Sequence, residues 1–260
     1  MAWCQLHYRN RILGKTEPVA LLLPESRHKG PFPVMYLLHG IGDSYLDWTR
    51  RTRLEVYAAG LPLIIVMPTT DWQSFYIDQP GGAASASAIA IDLVDYIDSR
   101  FQTIAQASHR AVCGLSMGGY GALHLAFQFP DRFGTAIAHS GALCFFHINV
   151  DGDDFQKAAD KVNTSLLRDV TIRLTGNPRP QGGPFDLWAQ AAGVPKEKRP
   201  KLRIDCGTSD RLLSFNREFH DYLNRLGYQH EYAENPGDHN WDYWDRYITD
   251  SLQFFMAQCR

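Results

Sequence analysis

The sequence predicts an α/β fold: a mostly parallel central sheet flanked by helices and entered through an antiparallel N-terminal hairpin. Three observations lead there. Strand-length stretches rich in apolar residues recur at 34–38, 63–67, 111–113, 133–138 and 202–206, and 63–67 is continuous rather than alternating, the pattern of a strand covered on both faces. Stretches of helical period lie between them, as the crossover connections of a parallel sheet require. The chain has 260 residues, 45% of them hydrophobic, which suits one large domain, or a domain carrying an insertion, better than two independent ones.

Taken in order, residues 5–13 and 19–23 are extended runs divided by Gly14-Lys15-Thr16-Glu17-Pro18, a hairpin at a sheet edge. A polar loop, 24–33, precedes strand 34–38, which runs into His39-Gly40-Ile41-Gly42-Asp43. Residues 48–60 are helical in part. Strand 63–67 is followed by a loop, 68–82, holding Trp72, Phe75 and Tyr76. Over 83–101 a helical period places Ile89, Leu93, Tyr96 and Ile97 on one face. Residues 110–121 read R-A-V-C-G-L-S-M-G-G-Y-G, an apolar run, a glycine-flanked serine and then an amphipathic stretch to 129 that stops at Pro130. Strand 133–138 leads into His139-Ser140-Gly141. From 142 to 199 the pattern breaks down into polar sequence with Gly182-Gly183-Pro184 and short helical pieces, expected to be a cap-like insertion above the sheet of a single domain, 1–260. Strand 202–206, a helix over 216–226 closed by Gly227, strand 230–233, the loop Asn235-Pro236-Gly237-Asp238-His239 and an amphipathic helix over 241–258 complete the chain.

The composition excludes several classes of partner. A formal charge of −2 and a pI near 6.5 give nothing that would attract nucleic acid or an anionic membrane. No apolar run reaches the length of a transmembrane helix, and the N-terminal residues lack the apolar core of a signal peptide. Five cysteines, widely spaced and without a C-x-x-C pair, read as reduced thiols of a cytoplasmic protein with no zinc site. No metal or organic cofactor is implied, and homo-oligomer formation is left open.

The chemistry begins at Gly114, Ser116 and Gly118, which spell G-x-S-x-G between a strand and a helix, the setting of a nucleophile elbow. The alternative is a glycine turn that only packs a helix on a sheet. A serine hydroxyl is a weak nucleophile and needs a base. His239, in the loop after the last strand, fits better than His109, His124, His220 or His230, which sit on a turn, in helices or in a strand. Asp210, in the loop after strand 202–206, can orient that imidazole; Asp205 lies inside the strand and Asp238 is too near His239 in sequence. The oxyanion needs two N–H donors, expected from the backbones of Met117 and of Ile41 in the loop after strand 34–38. Trp72, Phe75, Tyr76, Phe145, Phe146 and Trp188 are candidates for an aromatic substrate pocket, with His39 and His139 beside it.

Leu37-Leu38-His39-Gly40-Ile41-Gly42-Asp43, Gly114-Leu115-Ser116-Met117-Gly118-Gly119-Tyr120-Gly121-Ala122-Leu123, Cys206-Gly207-Thr208-Ser209-Asp210 and Gly237-Asp238-His239-Asn240-Trp241 together resemble the esterase D-like branch of the α/β-hydrolases. That branch holds tributyrin-type and feruloyl esterases, S-formylglutathione hydrolases and mycolyltransferases. The likeness spans roughly residues 16–255 and implies the α/β-hydrolase fold, with Ser116 as nucleophile, Asp210 as acid, His239 as base, and Ile41 and Met117 as oxyanion amides. It looks closest to the small carboxylesterases acting on short acyl esters. The first motif lacks the cysteine-bearing form typical of formylglutathione hydrolases, so that thioesterase reading, like a feruloyl-type one, is the runner-up. A hydrolase fold used only as a small-molecule receptor would have no need of an intact serine, acid, histidine and oxyanion loop.

Overall fold

The computed structural model describes residues 1–71, 74–151, 155 and 163–259. Its centre is an eight-stranded sheet of order β1-β2-β4-β3-β5-β6-β7-β8. The strands are β1 (Ala2–Asn10), β2 (Lys15–Leu23), β3 (Val34–Leu38), β4 (Ile64–Pro68), β5 (Arg110–Leu115), β6 (Thr135–His139), β7 (Lys201–Gly207) and β8 (His230–Asn235). Only β2 runs against its neighbours; β3 to β8 pair in parallel. This is the α/β-hydrolase fold.

The continuous apolar runs find their explanation in two cores. Side chains of a strand alternate between faces, and both faces are covered. Val34, Tyr36 and Leu38 enter one buried cluster, while Met35 and Leu37 enter the other. The second cluster is closed by α1 (Asp47–Arg51), α2 (Leu54–Ala58) and the terminal helix α9 (Trp241–Gln258), through Trp48, Leu54, Trp244, Ile248 and Phe255. The first is covered by α3 (Ser85–Ser87), a π-helical turn (Ala88–Leu93), α4 (Val94–Arg100), α5 (Met117–Gln128), α6 (Thr164–Thr175), α7 (Leu187–Gly193) and α8 (Leu213–Arg225).

Several expectations need adjustment. The hairpin is longer than residues 5–13 and 19–23, since Ala2 to Asn10 pair with Lys15 to Leu23. Pro18 sits inside β2, opposite His7, where β4 has not yet begun to pair, so its missing N–H costs no ladder bond on that side. The helix over 83–101 is interrupted by the π turn, which a 3.6-residue period does not anticipate. Ile89, Leu93 and Ile97 are nonetheless buried as the period requires. Within 142–199 the helical pieces are not all short. α6 has 12 residues, starts on the Asn163 side chain, which accepts from the Leu166 amide, and ends at Gly176 in the left-handed conformation. Nor is that segment simply polar: Phe146, Ile148, Leu167, Val170 and Leu187 are buried in the first core. Its polar residues mask apolar positions spaced for docking on this sheet. Among the described residues, no helix is long and apolar enough to cross a membrane.

Candidate active site

Ser116 occupies the step between β5 and α5, with φ 53° and ψ −114°, a left-handed conformation that a non-glycine residue adopts only when its surroundings enforce it. They do so through the backbone. The Ser116 N–H donates to the His139 carbonyl at the end of β6 (2.9 Å), and its own carbonyl accepts from Gly119, Tyr120 and Ala142. The flanking glycines permit the turn sterically. A Cβ on Gly118 would lie 2.6 Å from the His39 carbonyl oxygen, and one on Gly114 would strike the Gly118 carbonyl. Strand and helix can therefore meet only without side chains there.

The loops after β7 and β8 are stitched together in the same way. Thr208 and Ser209 donate to the carbonyls of Asn235 (2.8 Å) and Gly237 (2.9 Å). A Cβ on Gly207 would come 2.5 Å from the Gly237 carbonyl oxygen, so the two loops touch by backbone alone. That contact carries Asp210 and His239 to each other. His239 Nδ1 donates to the Asp210 carboxylate (2.9 and 3.1 Å), leaving Nε2 to accept from the Ser116 hydroxyl at 3.0 Å. Burial works to raise the Asp210 carboxyl, but the hydrogen bond and charge of His239 and the Leu212 amide outweigh it and hold it below the usual carboxylate range. The carboxylate thus stays ionised and fixes both the tautomer and the plane of the imidazole. Trp244 meets the ring edge-on, with centroids 5.1 Å apart.

Two cavities open from Ser116. One, of about 80 Å³, is lined by Phe75, Ala142, Phe145, Leu166 and Leu212, with Asn163 and Arg211 at its border and Ile41 and Met117 beside the serine. The other, of about 320 Å³, is more polar and holds His239, Asp43, Arg51, Arg211, Trp241 and Trp244. Among the described residues the Ile41 and Met117 amides donate to nothing, so both are free to face an incoming oxygen. Met117 is the first residue of α5, and the positive end of that helix adds to the effect.

The structure thus brings together Ser116, Asp210, His239, Ile41, Met117, Phe75 and Phe145. It does not bring the remaining candidates into the cavities. Tyr76 is wholly buried and its hydroxyl donates to the His39 carbonyl, bracing the Ile41 loop from below. The His39 ring is buried too, with Nδ1 donating to the Gly40 carbonyl. Phe146 packs behind Phe75, and Trp188 lies between His147 and Phe219. His139 points away into the second core, bonded to Asp205 (2.9 Å) and Ser251 (2.7 Å), so it lines neither cavity. Strand register explains the last case: His139 ends β6, and it is its carbonyl, not its ring, that faces the serine. Trp72 lies outside the described residues. Sequence reasoning missed Asn163, Leu166, Arg211 and Leu212. For the last two the signal was available, since they directly follow Asp210; the first two reach the site only by the docking of α6.

An α/β-hydrolase sheet with a strained serine at the β5–α5 step defines a serine hydrolase. The family described as "Putative esterase" matches residues 11–255, and the chain belongs to it. It is similar to an acetyl esterase of Caldicellulosiruptor saccharolyticus, with 26% identity over 98% of each chain. It is also similar to an esterase of Mycobacterium tuberculosis, with 31% identity over 89% of this chain, which spans 54% of that protein's length. Among solved structures, a fluorophosphonate-binding serine hydrolase of Staphylococcus aureus superposes with a TM-score of 0.77 at 27% identity over 98% of each chain. The protein is a serine ester hydrolase of the esterase D-like branch.

Proposed function

We propose that this chain is a carboxylesterase that hydrolyses short-chain acyl esters through an acyl-enzyme on Ser116. The observation that carries the reading is the unbroken hydrogen-bonded line from the Ser116 hydroxyl through His239 to Asp210. Ser116 Oγ attacks the ester carbonyl as His239 Nε2 takes its proton, and Asp210 stabilises the imidazolium that forms. The Ile41 and Met117 amides receive the oxyanion. His239 then hands the proton to the leaving oxygen, and a water activated by the same nitrogen releases the acid.

That proton transfer also orients the ester. The leaving group must lie on the side of His239, which is the larger polar cavity. The acyl group then enters the small cavity walled by Phe75 and Phe145, whose size supports a short chain. An acetyl esterase among the relatives agrees with this. Residues 142–199 act in this reading as a cap-like insertion within a single domain, since Ala142, Phe145, Asn163 and Leu166 come from it. Among the described residues the cysteines form no disulfide, which supports a cytoplasmic location. Hydrolysis of 4-nitrophenyl acetate by wild type and by Ser116→Ala tests the proposal. The variant is expected to lose at least about a thousandfold in kcat; equal rates would overturn it.

A further inference from the structure

The carboxylesterase reading above leaves one charged group at the site without a task. Arg211 borders both cavities beside Ser116. It directly follows Asp210, and the backbone on either side is fixed: the Asp210 amide donates to the Gly207 carbonyl (3.0 Å), and the Leu212 amide to the Asp210 carboxylate (2.8 Å). Its side chain is exposed, and among the described residues no hydrogen bond or ion pair engages its guanidinium. The other guanidinium of the larger cavity is occupied. Arg51 pairs with Asp43 at 3.7 Å and lies over the Trp241 ring at 5.1 Å.

Of the charged side chains that line the larger cavity, two are guanidiniums and one is the carboxylate of Asp43, which already faces Arg51, while the ionised Asp210 lies behind His239. Burial also pushes the Asp43 carboxyl up, which weakens its competition for a second cation. On the acyl side the cavity is small and walled mainly by Phe75, Phe145, Leu166 and Leu212, with Asn163 at its border, so a substrate anion there would lose most of its water. On the leaving-group side the cavity is wider and polar. A fork of N–H donors at its border, unengaged among the described residues, matches the two oxygens of a carboxylate.

We propose that Arg211 is a specificity-determining residue that recognises a carboxylate on the alcohol or phenol half of the ester. The natural substrates are then acyl esters of hydroxy acids rather than of neutral alcohols. The acyl transfer is unchanged: the Ser116 Oγ–acyl bond forms, the ester C–O bond breaks, and the hydroxy acid departs with the proton from His239.

The test compares 3-acetoxybenzoate with its neutral methyl ester, for wild type, Arg211→Gln and Arg211→Lys. In wild type the anionic substrate is expected to have the higher kcat/KM. Arg211→Gln should lower the anionic-over-neutral ratio about tenfold, mainly through KM, with partial recovery in Arg211→Lys. Calorimetric binding of 3-acetoxybenzoate to Ser116→Ala and to the Ser116→Ala, Arg211→Gln double variant should show the same loss without turnover. An unchanged ratio and unchanged binding would overturn the proposal while leaving the esterase reading intact. A loss seen instead with 4-nitrophenyl hemisuccinate, whose charge is on the acyl half, would also overturn it. Binding that depends on Arg211 in a protein inert toward every ester would overturn the esterase reading alone.

Discussion

Ser116 and His139 show how one backbone contact couples a reactive residue to a buried one. The His139 carbonyl holds the Ser116 amide, while its ring is wholly buried between Asp205 and Ser251, and Tyr243 donates to the same Asp205 carboxylate at 2.8 Å. Ser251, His139 and Asp205 thus repeat the hydrogen-bond order of Ser116, His239 and Asp210, but with no access to solvent or substrate. Burial disfavours the charged His139 ring, yet the charge and hydrogen bond of Asp205 outweigh it and raise it from 6.5 to about 10. A raised histidine favours the folded state when protonated. That contribution is complete below pH 6.5 and lost as pH rises through about 10. His139→Ala, which leaves the buried Asp205 carboxylate only Tyr243 and the more distant Arg203 at 4.0 Å, is expected to cost about 3 kcal/mol. Urea unfolding at pH 7 measures this, and the gap between wild type and variant should narrow toward pH 10.

At the level of elements, the elbow depends on how closely α5 approaches β3 and β5. Gly118→Ala would press a methyl group into the His39 carbonyl and push α5 off the sheet, carrying the Ser116 and Met117 amides with it. The expected loss is about 1–3 kcal/mol in thermal or urea stability. Activity on 4-nitrophenyl acetate should fall more steeply than that, because the Met117 amide is displaced from the Ile41 amide on the facing loop. The acyl wall is a second element-level device. Phe75 stacks on Phe145 with centroids 4.3 Å apart, and Phe75 and Tyr76 both take positive φ, the strained way in which this loop turns an aromatic ring toward the serine. Phe145→Ala should open the small cavity. The hexanoate-over-acetate ratio of kcat/KM for 4-nitrophenyl esters is expected to rise roughly tenfold, from burial of the added methylenes. An unchanged chain-length profile would show that Phe145 does not bound the acyl group.

Across the molecule, a sheet buried on both faces leaves the cysteines at graded depth. Cys113, Cys144 and Cys206 are buried, and Cys4 and Cys259 partly so. Burial pushes the Cys206 thiol well above its ordinary value and the Cys259 thiol to about 11. With thiolate-specific reagent at pH 8, Cys4 should react first in the native protein and Cys259 slowly, while Cys113, Cys144 and Cys206 should react only on unfolding, when all five titrate. Fast modification of a buried thiol in the native state would contradict this layering.

The strands, the serine turn and the chain order of Ser116, Asp210 and His239 were legible from residue patterns, because two-sided burial imposes continuous apolar runs and the elbow imposes glycine at fixed offsets. Local pattern also sufficed for α9, whose bounds fall where its periodicity begins and ends. It did not suffice for α6, for the π turn at 88–93, or for sorting Phe75 and Phe145 from Tyr76, Phe146 and Trp188. Those outcomes rest on contacts between segments far apart in sequence. An aromatic residue near the site has the same local signature whether it lines the cavity or props the loop behind it. His139 makes the point most plainly. As a residue it is a candidate for the pocket, and strand register alone turns its ring into the core and leaves only its carbonyl to hold the serine.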